Sequence, residues 1–317
     1  KKKAEELLKK HQQLEEQIKH TQQQNSKNIT NQKNLKPEIF KKQKELENLM
    51  KSLLNDEEKE LLKEMKKMIE ELNKEKLKSL LDKLNKNNTD LEKELERELE
   101  LFKQLDFEQK VEETIEKVND LKQLQNNLLE KTENKKSQAD SLAKTQDELI
   151  KKMNSIKEDL EELRKKNMEL ENKNTIPETK EKEADIKESM EKSHENLTNN
   201  KKQKSKKSQQ EAVKKIEELE NDLLNMQAQG SSEQQVENME TLRQILENLI
   251  TISFDQEDLM AQVKITPRKS SKFVTIIQLQ KTLSNNSKIV EDSLFNLSKR
   301  VVQIQSTINK EISSINN

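Results

Sequence analysis

The sequence predicts an all-α chain of long, coiled-coil-like helices folded back as helical hairpins, with a more compact C-terminal helical module. Three observations carry this. The punctuation that sheets and barrels need is missing: 317 residues hold one Gly and three Pro, and six Phe are the only aromatics. Charged residues make up 38% and hydrophobic residues 29%, too little apolar side chain for a core of ordinary size. The scarce apolar residues nevertheless recur at alternating steps of four and three. Leu149, Met153, Ile156, Leu160, Leu163 and Leu170 keep that rhythm, with Asn167 in the missing slot. A disordered polyampholyte of the same composition would not sustain it.

Four regions follow in order. Residues 1–36 read as an N-terminal helix, ended by the polar stretch Asn25 to Lys36 before Pro37. Residues 37–174 read as a long helical hairpin or coiled-coil region. Within it Asn55-Asp56-Glu57-Glu58 has the form of a helix start, Leu61, Met65, Met68 and Leu72 form a short seam, and Asn87-Asn88-Thr89-Asp90 predicts an interhelical turn. Asn174-Thr175-Ile176-Pro177-Glu178 predicts a stop and a restart, with Thr175 or Ile176 near the cap and Pro177 in the first turn. Residues 175–229 then form a charged helical arm. Gln229-Gly230-Ser231-Ser232 holds the one Gly and predicts the main boundary.

Beyond it, 231–317 is the module. Leu242, Ile245, Leu246, Leu249, Ile250, Ile252, Phe254, Leu259, Met260 and Val263 cover a face wider than a two-residue seam, so a bundle is expected here. Thr266-Pro267-Arg268 closes that helix. Val290, Leu294, Leu297, Val301, Ile304, Ile308, Ile312 and Ile315 then repeat the rhythm with one four-four step. Residues 2–19 and 136–153 also align in pattern, as an internal repeat would.

Sixty basic against sixty-one acidic residues leave a formal charge of −1, so no global field selects nucleic acid or anionic lipid. No apolar run is long enough to cross a bilayer. The chain opens on Lys1 already in a helical pattern, which reads as a segment of a longer protein. Catalysis has no foothold: there is no Cys, no Gly-rich phosphate loop and no nucleophile elbow. Paired carboxylates on such helices read as a solvated face. No catalytic, cofactor or metal residue is assigned. Glu191 and His194 have the spacing of two metal ligands on one helix face, but a di-iron site needs a second such pair, and the chain has none. His11 falls in seam register and reads as a polar heptad residue. Lys201 to Lys207 is the densest basic run. With no stacking aromatics beside it, it reads as an exposed helix face and not a nucleic-acid platform. Met65, Met68, Met153 and Met168 sit at seam spacing and are expected in the core. Thr266-Pro267-Arg268-Lys269 matches a proline-directed phosphorylation pattern.

Two stretches go beyond generic coiled coil: LRQILENLITISFDQEDLM (242–260) with SKIVEDSLFNLSKRVVQIQSTINKEISSIN (287–316), and the stop-start segment 163–197 with KKIEELENDLLNMQ (214–227). Together they resemble the family called domain of unknown function 4175, large envelope proteins of the Bacteroidetes group with membrane helices near the N-terminus. The resemblance runs from about residue 120 onwards and takes in the opening KKKAEELLKKHQQLEEQI. It implies a location at the periplasmic side of the inner membrane, membrane attachment through parts outside this segment, and no catalytic residues. Within SFDQEDLM it leaves Phe254 and Leu259 as expected core and Asp255, Gln256, Glu257 and Asp258 as a possible contact surface; Leu249 and Phe254 join Asp255, Glu257 and Asp258 as the candidate partner contact. The function expected is a non-enzymatic scaffold that binds protein partners, without cofactor or small-molecule substrate. A holdase-like chaperone and a cytoskeletal or ciliary coiled-coil protein are the alternatives. Heptads alone do not choose between hairpins within the chain and a homo-oligomer.

Overall fold

The computed structural model describes residues 2–31, 37–52, 74–134, 137–301, 303–304, 308 and 311–312. Among the described residues there is no strand, and the helices are α1 (Lys2–Asn31), α2 (Pro37–Ser52), α3 (Lys74–Glu133), α4 (Ala139–Glu169), α5 (Lys180–Thr198), α6 (Lys202–Ile265) and α7 (Ser271–Ser298). The all-α class with helical hairpins is therefore what the seam rhythm encodes. The expected start at Asn55 and the seam Leu61 to Leu72 lie outside the described residues.

Several boundaries follow local chemistry. Pro37 opens α2, where its missing N–H costs nothing. Thr266-Pro267 ends α6, and the Ser270 hydroxyl then caps α7 by accepting from Lys272 N at 3.2 Å. The stop at 170–179 is also present, but its cap is Thr179, so Pro177 precedes the helix and does not sit in its first turn. Arg164 Nη2 donates to both Thr179 Oγ1 (2.6 Å) and Glu183 Oε1 (2.5 Å), and this pins the restart at Thr179.

Other boundaries depart from the sequence reading. The turn expected at Asn87–Asp90 is absent, because α3 runs straight through it. Asn and Asp cost only about 0.5 kcal/mol each in a helix, less than is gained by docking the next turns, Leu91 and Leu95, on Leu14 and Ile18 of α1. Gly230 likewise lies inside α6 and not at a boundary. Its φ is not positive, and a Cβ there meets Asn174 Oδ1 at 3.6 Å, an ordinary contact. Gly230→Ala is accordingly expected to raise the unfolding free energy by about 0.5–1 kcal/mol, read from denaturant melts; a loss of stability would show that the turn here is strained. The charged arm expected over 175–229 is two helices. Asn200 breaks it with φ 58, while Lys201 N donates to Asn196 O (2.7 Å) and Asn200 N to Leu197 O (2.9 Å), a Schellman closure on an Asn. Finally, the rhythm that begins at Val290 is interrupted after Leu297, and its last position, Ile315, lies outside the described residues. α7 stops at Ser298, whose hydroxyl bonds back to Phe295 O at 2.7 Å.

The chain forms two compact units: 106–234, and 1–105 with 235–317. The division thus falls inside α3 and α6 and not at Gly230. In the 106–234 unit the end of α3, then α4, α5 and the start of α6 run antiparallel in sequence order. Their seams meet in one core: Phe107, Val111, Val118, Leu121 and Leu128 on α3, Leu149 to Leu163 on α4, Ile186, Met190 and Leu197 on α5, Ala212 to Met226 on α6. The bundle expected beyond residue 231 is therefore here, in the thinly apolar part. Four narrow 4-3 seams facing one axis enclose a core that a single seam cannot. Met153 is core as expected, whereas Met168 is exposed.

One layer of this core is polar. Gln125 and Gln146 exchange amide hydrogen bonds (3.1 and 2.8 Å), and Ser193 donates to Gln146 Oε1 at 2.7 Å. Ser193 and Ser205 hydroxyls lie 2.9 Å apart, and Gln209 Nε2 reaches Gln146 Oε1 at 3.4 Å. All five side chains are fully buried. A charge ladder flanks it: Asp159 accepts from Lys110 (2.7 Å) and Lys117 (2.6 Å), and Lys110 also meets Glu162 at 2.5 Å.

In the other unit α1 packs on α3, and Leu46 of α2 meets Leu101 and Leu105 of α3. His11 is buried in the α1 seam, with Nε2 3.6 Å from Glu15 Oε1. The end of α6 and α7 form a second antiparallel hairpin. Its seam holds Ile245, Leu259, Ile276, Leu283, Val290, Leu294 and Leu297 and a reciprocal amide pair, Gln256 with Gln280 (3.3 and 2.9 Å).

Candidate functional site

Two buried polar groups stand apart from the solvated charged faces. The glutamine layer turns its hydrogen bonds onto its own helices, with Gln209 Oε1 the one acceptor of the layer left without a partner among the described residues. The second group is centred on Arg97 of α3, which has no exposed surface. Its Nε donates to Glu94 Oε2 (3.0 Å), Nη2 to Glu98 Oε1 (2.7 Å) and Nη1 to the Ile304 carbonyl (3.0 Å). Burial pushes the Glu98 carboxyl up to about 8, against the pull of Arg97 and with the help of Glu94. Near neutrality Glu98 therefore keeps its proton while accepting from Arg97. Beside it Lys299 donates to Glu96 (2.6 Å) and lies 5.0 Å from the Phe295 ring centroid. Every donor direction named for Arg97 ends within the unit, so the cluster ties the turn after α7 to α3.

The exposed face of α6 is different. At 3.6 residues per turn, Ile245, Leu249, Ile252, Gln256 and Leu259 form the arc that faces α7. On one flank of that arc run Met239, Leu242, Leu246, Ile250 and Phe254, stepping by three and four. They are 73%, 40%, 52%, 56% and 67% exposed. The opposite flank carries Glu237, Glu240, Glu247, Asp255 and Asp258. A helix with one arc docked, one flank apolar in solvent and one flank acidic is an incompletely covered helix.

This placement sorts the residues named from sequence. Leu249 is partly buried against the cluster that holds Ile245 and Val290 and supports the hairpin. Leu259 is core as expected. Phe254, expected in the core and also named as a candidate partner contact, is exposed and not core, because two helices cover only one arc where a bundle would cover two. Asp255, Glu257 and Asp258 are all exposed, but they do not share a face: Glu257 falls on the apolar flank, Asp255 and Asp258 on the acidic one. Sequence reading missed the stripe as a surface, since Leu246 and Ile250 read as core. The signal was the width of the apolar arc beside a single partner helix.

The remaining motifs are accounted for locally. Lys202 and Lys206 of the basic run reach Ser137 O (2.5 Å) and Glu133 (2.7 Å) at the α3–α4 turn. Glu191 is exposed and His194 half-buried, with Ser193 between them pointing into the bundle. Among the described residues no group of three or more His, Cys, Asp or Glu is placed to hold a metal ion, and no helix is long and apolar enough to cross a membrane. Comparison with family models, with curated proteins and with solved structures gives no match.

Proposed function

We propose that this chain is a non-enzymatic scaffold, a coiled-coil segment of a larger bacterial envelope protein that holds protein partners through the α6–α7 hairpin. The observation that supports it is the Met239–Phe254 stripe, apolar and exposed on a helix whose other flank is acidic. Such a face gains by being covered, at about 25 cal/mol per Å² of apolar surface. The antiparallel bundle of 106–234 fits the role of a spacer.

Phe254→Asp tests this, because Phe254 lies on the stripe and outside the hairpin core. The variant is expected to retain the helicity of the parent by circular dichroism and to lose partners recovered by crosslinking and mass spectrometry from the source cells. Leu249→Asp is the weaker probe, since it also disrupts the hairpin seam. Unchanged recovery with Phe254→Asp would sink the docking face. A broad set of unrelated unfolded clients would favour the holdase-like reading, to which exposed Met239 and Met260 lend some support.

A further inference from the structure

We infer that the occupant of the α6 stripe is a second copy of this chain, with α6 laid antiparallel on α6 about a two-fold axis near Ile250; this rests on the stripe being a protein-contact face. The pattern of charge within the stripe points to self-pairing. Charged residues break into its flank near Ile250 at Arg243 and Glu257, seven residues before and seven after. They are of opposite sign and equally spaced. Both are exposed, and Arg243 spends its guanidinium on Glu247 of the next turn at 3.0 Å in solvent, an arrangement worth only a few tenths of a kcal/mol.

A two-fold axis perpendicular to α6 at Ile250 makes the stripe complementary to itself. Arg243 comes opposite Glu257 of the other copy, and Glu257 opposite its Arg243. Leu246 comes opposite Phe254, Met239 opposite Ala261, and Ile250 meets Ile250. A contact of this kind is isologous and closes at two copies. Parallel pairing sets Arg243 against Arg243 and Glu257 against Glu257, and like charges face to face are unfavourable. From Met239 to Ala261 the contact is about 34 Å long at 1.5 Å per residue. Two hairpins joined along it give four helices around the uncovered flank, the architecture the chain builds within 106–234.

The experiment uses the full chain. Sedimentation velocity over a dilution series is expected to show a monomer–dimer equilibrium. Arg243→Glu and Glu257→Arg should each weaken it at least about tenfold, and the double variant should restore it, because the swap re-forms both cross-pairs. Circular dichroism on each variant checks that the fold is kept. The chain has no Cys, so Ile250→Cys gives a clean second measurement. Across the axis it is expected to form a disulfide-linked dimer on mild oxidation, while Thr251→Cys, turned away from the stripe, is not.

A monomer up to roughly 100 µM, weaker than the range of specific pairs, overturns the inference. So does a dimer that the double swap fails to restore, or equal crosslinking at 250 and 251. A monomer whose partner recovery still depends on Phe254 overturns self-pairing alone and leaves the docking face standing. Independence of both pairing and recovery from Phe254 overturns the two together.

Discussion

The unit containing α1 and α7 is expected to lose stability as the pH rises from the ordinary glutamate value of 4.5 to about 8. The cause is Glu98, whose carboxyl keeps its proton in the folded chain and releases it on unfolding. The folded state then binds more protons than the unfolded one, so unfolding becomes easier with rising pH, by about 1.4 kcal/mol per unit for one proton. The contribution is fully present below 4.5 and gone above the folded value. Hydrogen exchange in the peptides around Arg97 and Lys299, corrected for intrinsic rates, reads this slope locally. Glu98→Gln keeps a neutral acceptor for Arg97 and should flatten it; an unchanged slope in that variant would remove Glu98 as the cause.

The 106–234 unit supplies an internal control. There burial raises Asp159, but hydrogen bonds from Lys110 and Lys117 outweigh it and leave the carboxyl below its ordinary value. A hydrogen bond from Lys110 leads in lowering Glu162. Stability from these carboxylates is present above their ordinary values and lost only on acidification. Burial lowers Lys110, while its bonds to Asp159 and Glu162 raise it further, so its share is lost only in alkali. Peptides from α4 should accordingly show little slope between about pH 5 and 8.

Arg97→Ala is expected to cost about 3–5 kcal/mol. It removes a buried cation whose three donor directions are all used, leaving the buried Glu94 carboxyl and the Ile304 carbonyl without their donor. Arg97→Lys should recover little, since an ammonium cannot reproduce the planar fork. Denaturant melts measure the loss, and exchange at 299–304 should rise first, because the bond to Ile304 is what holds that turn. A shift within about 0.5 kcal/mol, the range of surface substitutions, would show that the guanidinium is not the anchor.

Much of the fold was readable because helices write their packing as a period. Leu149 to Leu170 announced a seam, and every member of that series is buried. Thr266-Pro267 announced a stop for steric reasons that no neighbour can override. Weak punctuation was the unreliable part. Asn87-Asn88 and Gly230 look like breaks and are helical, while Asn199-Asn200, which looks no stronger, does turn. The difference lies in whether the flanking seam residues have a partner if the helix continues, and this is a tertiary fact. Arg97 and Glu98 were invisible for a related reason. In a chain with sixty basic and sixty-one acidic residues, nothing in the letters separates one buried pair from the solvated rest. The stripe was half readable: its apolar width was evident, but which arc would be covered depended on the number of neighbouring helices.

The glutamine layer bears on a problem that seams of this kind create for themselves. A regular 4-3 repeat looks the same after a shift of seven residues, so neighbouring helices have several near-equivalent ways to lie alongside each other. Gln125 and Gln146 remove that degeneracy. Sliding α4 one heptad along α3 in one direction sets Gln125 against Met153; the other direction sets Gln146 against Val118. Either slip strands carboxamides in hydrocarbon, at about 1–3 kcal/mol for each unmet group. The layer thus works as an alignment mark: it adds little to the depth of the native well and a good deal to its distance from the next one.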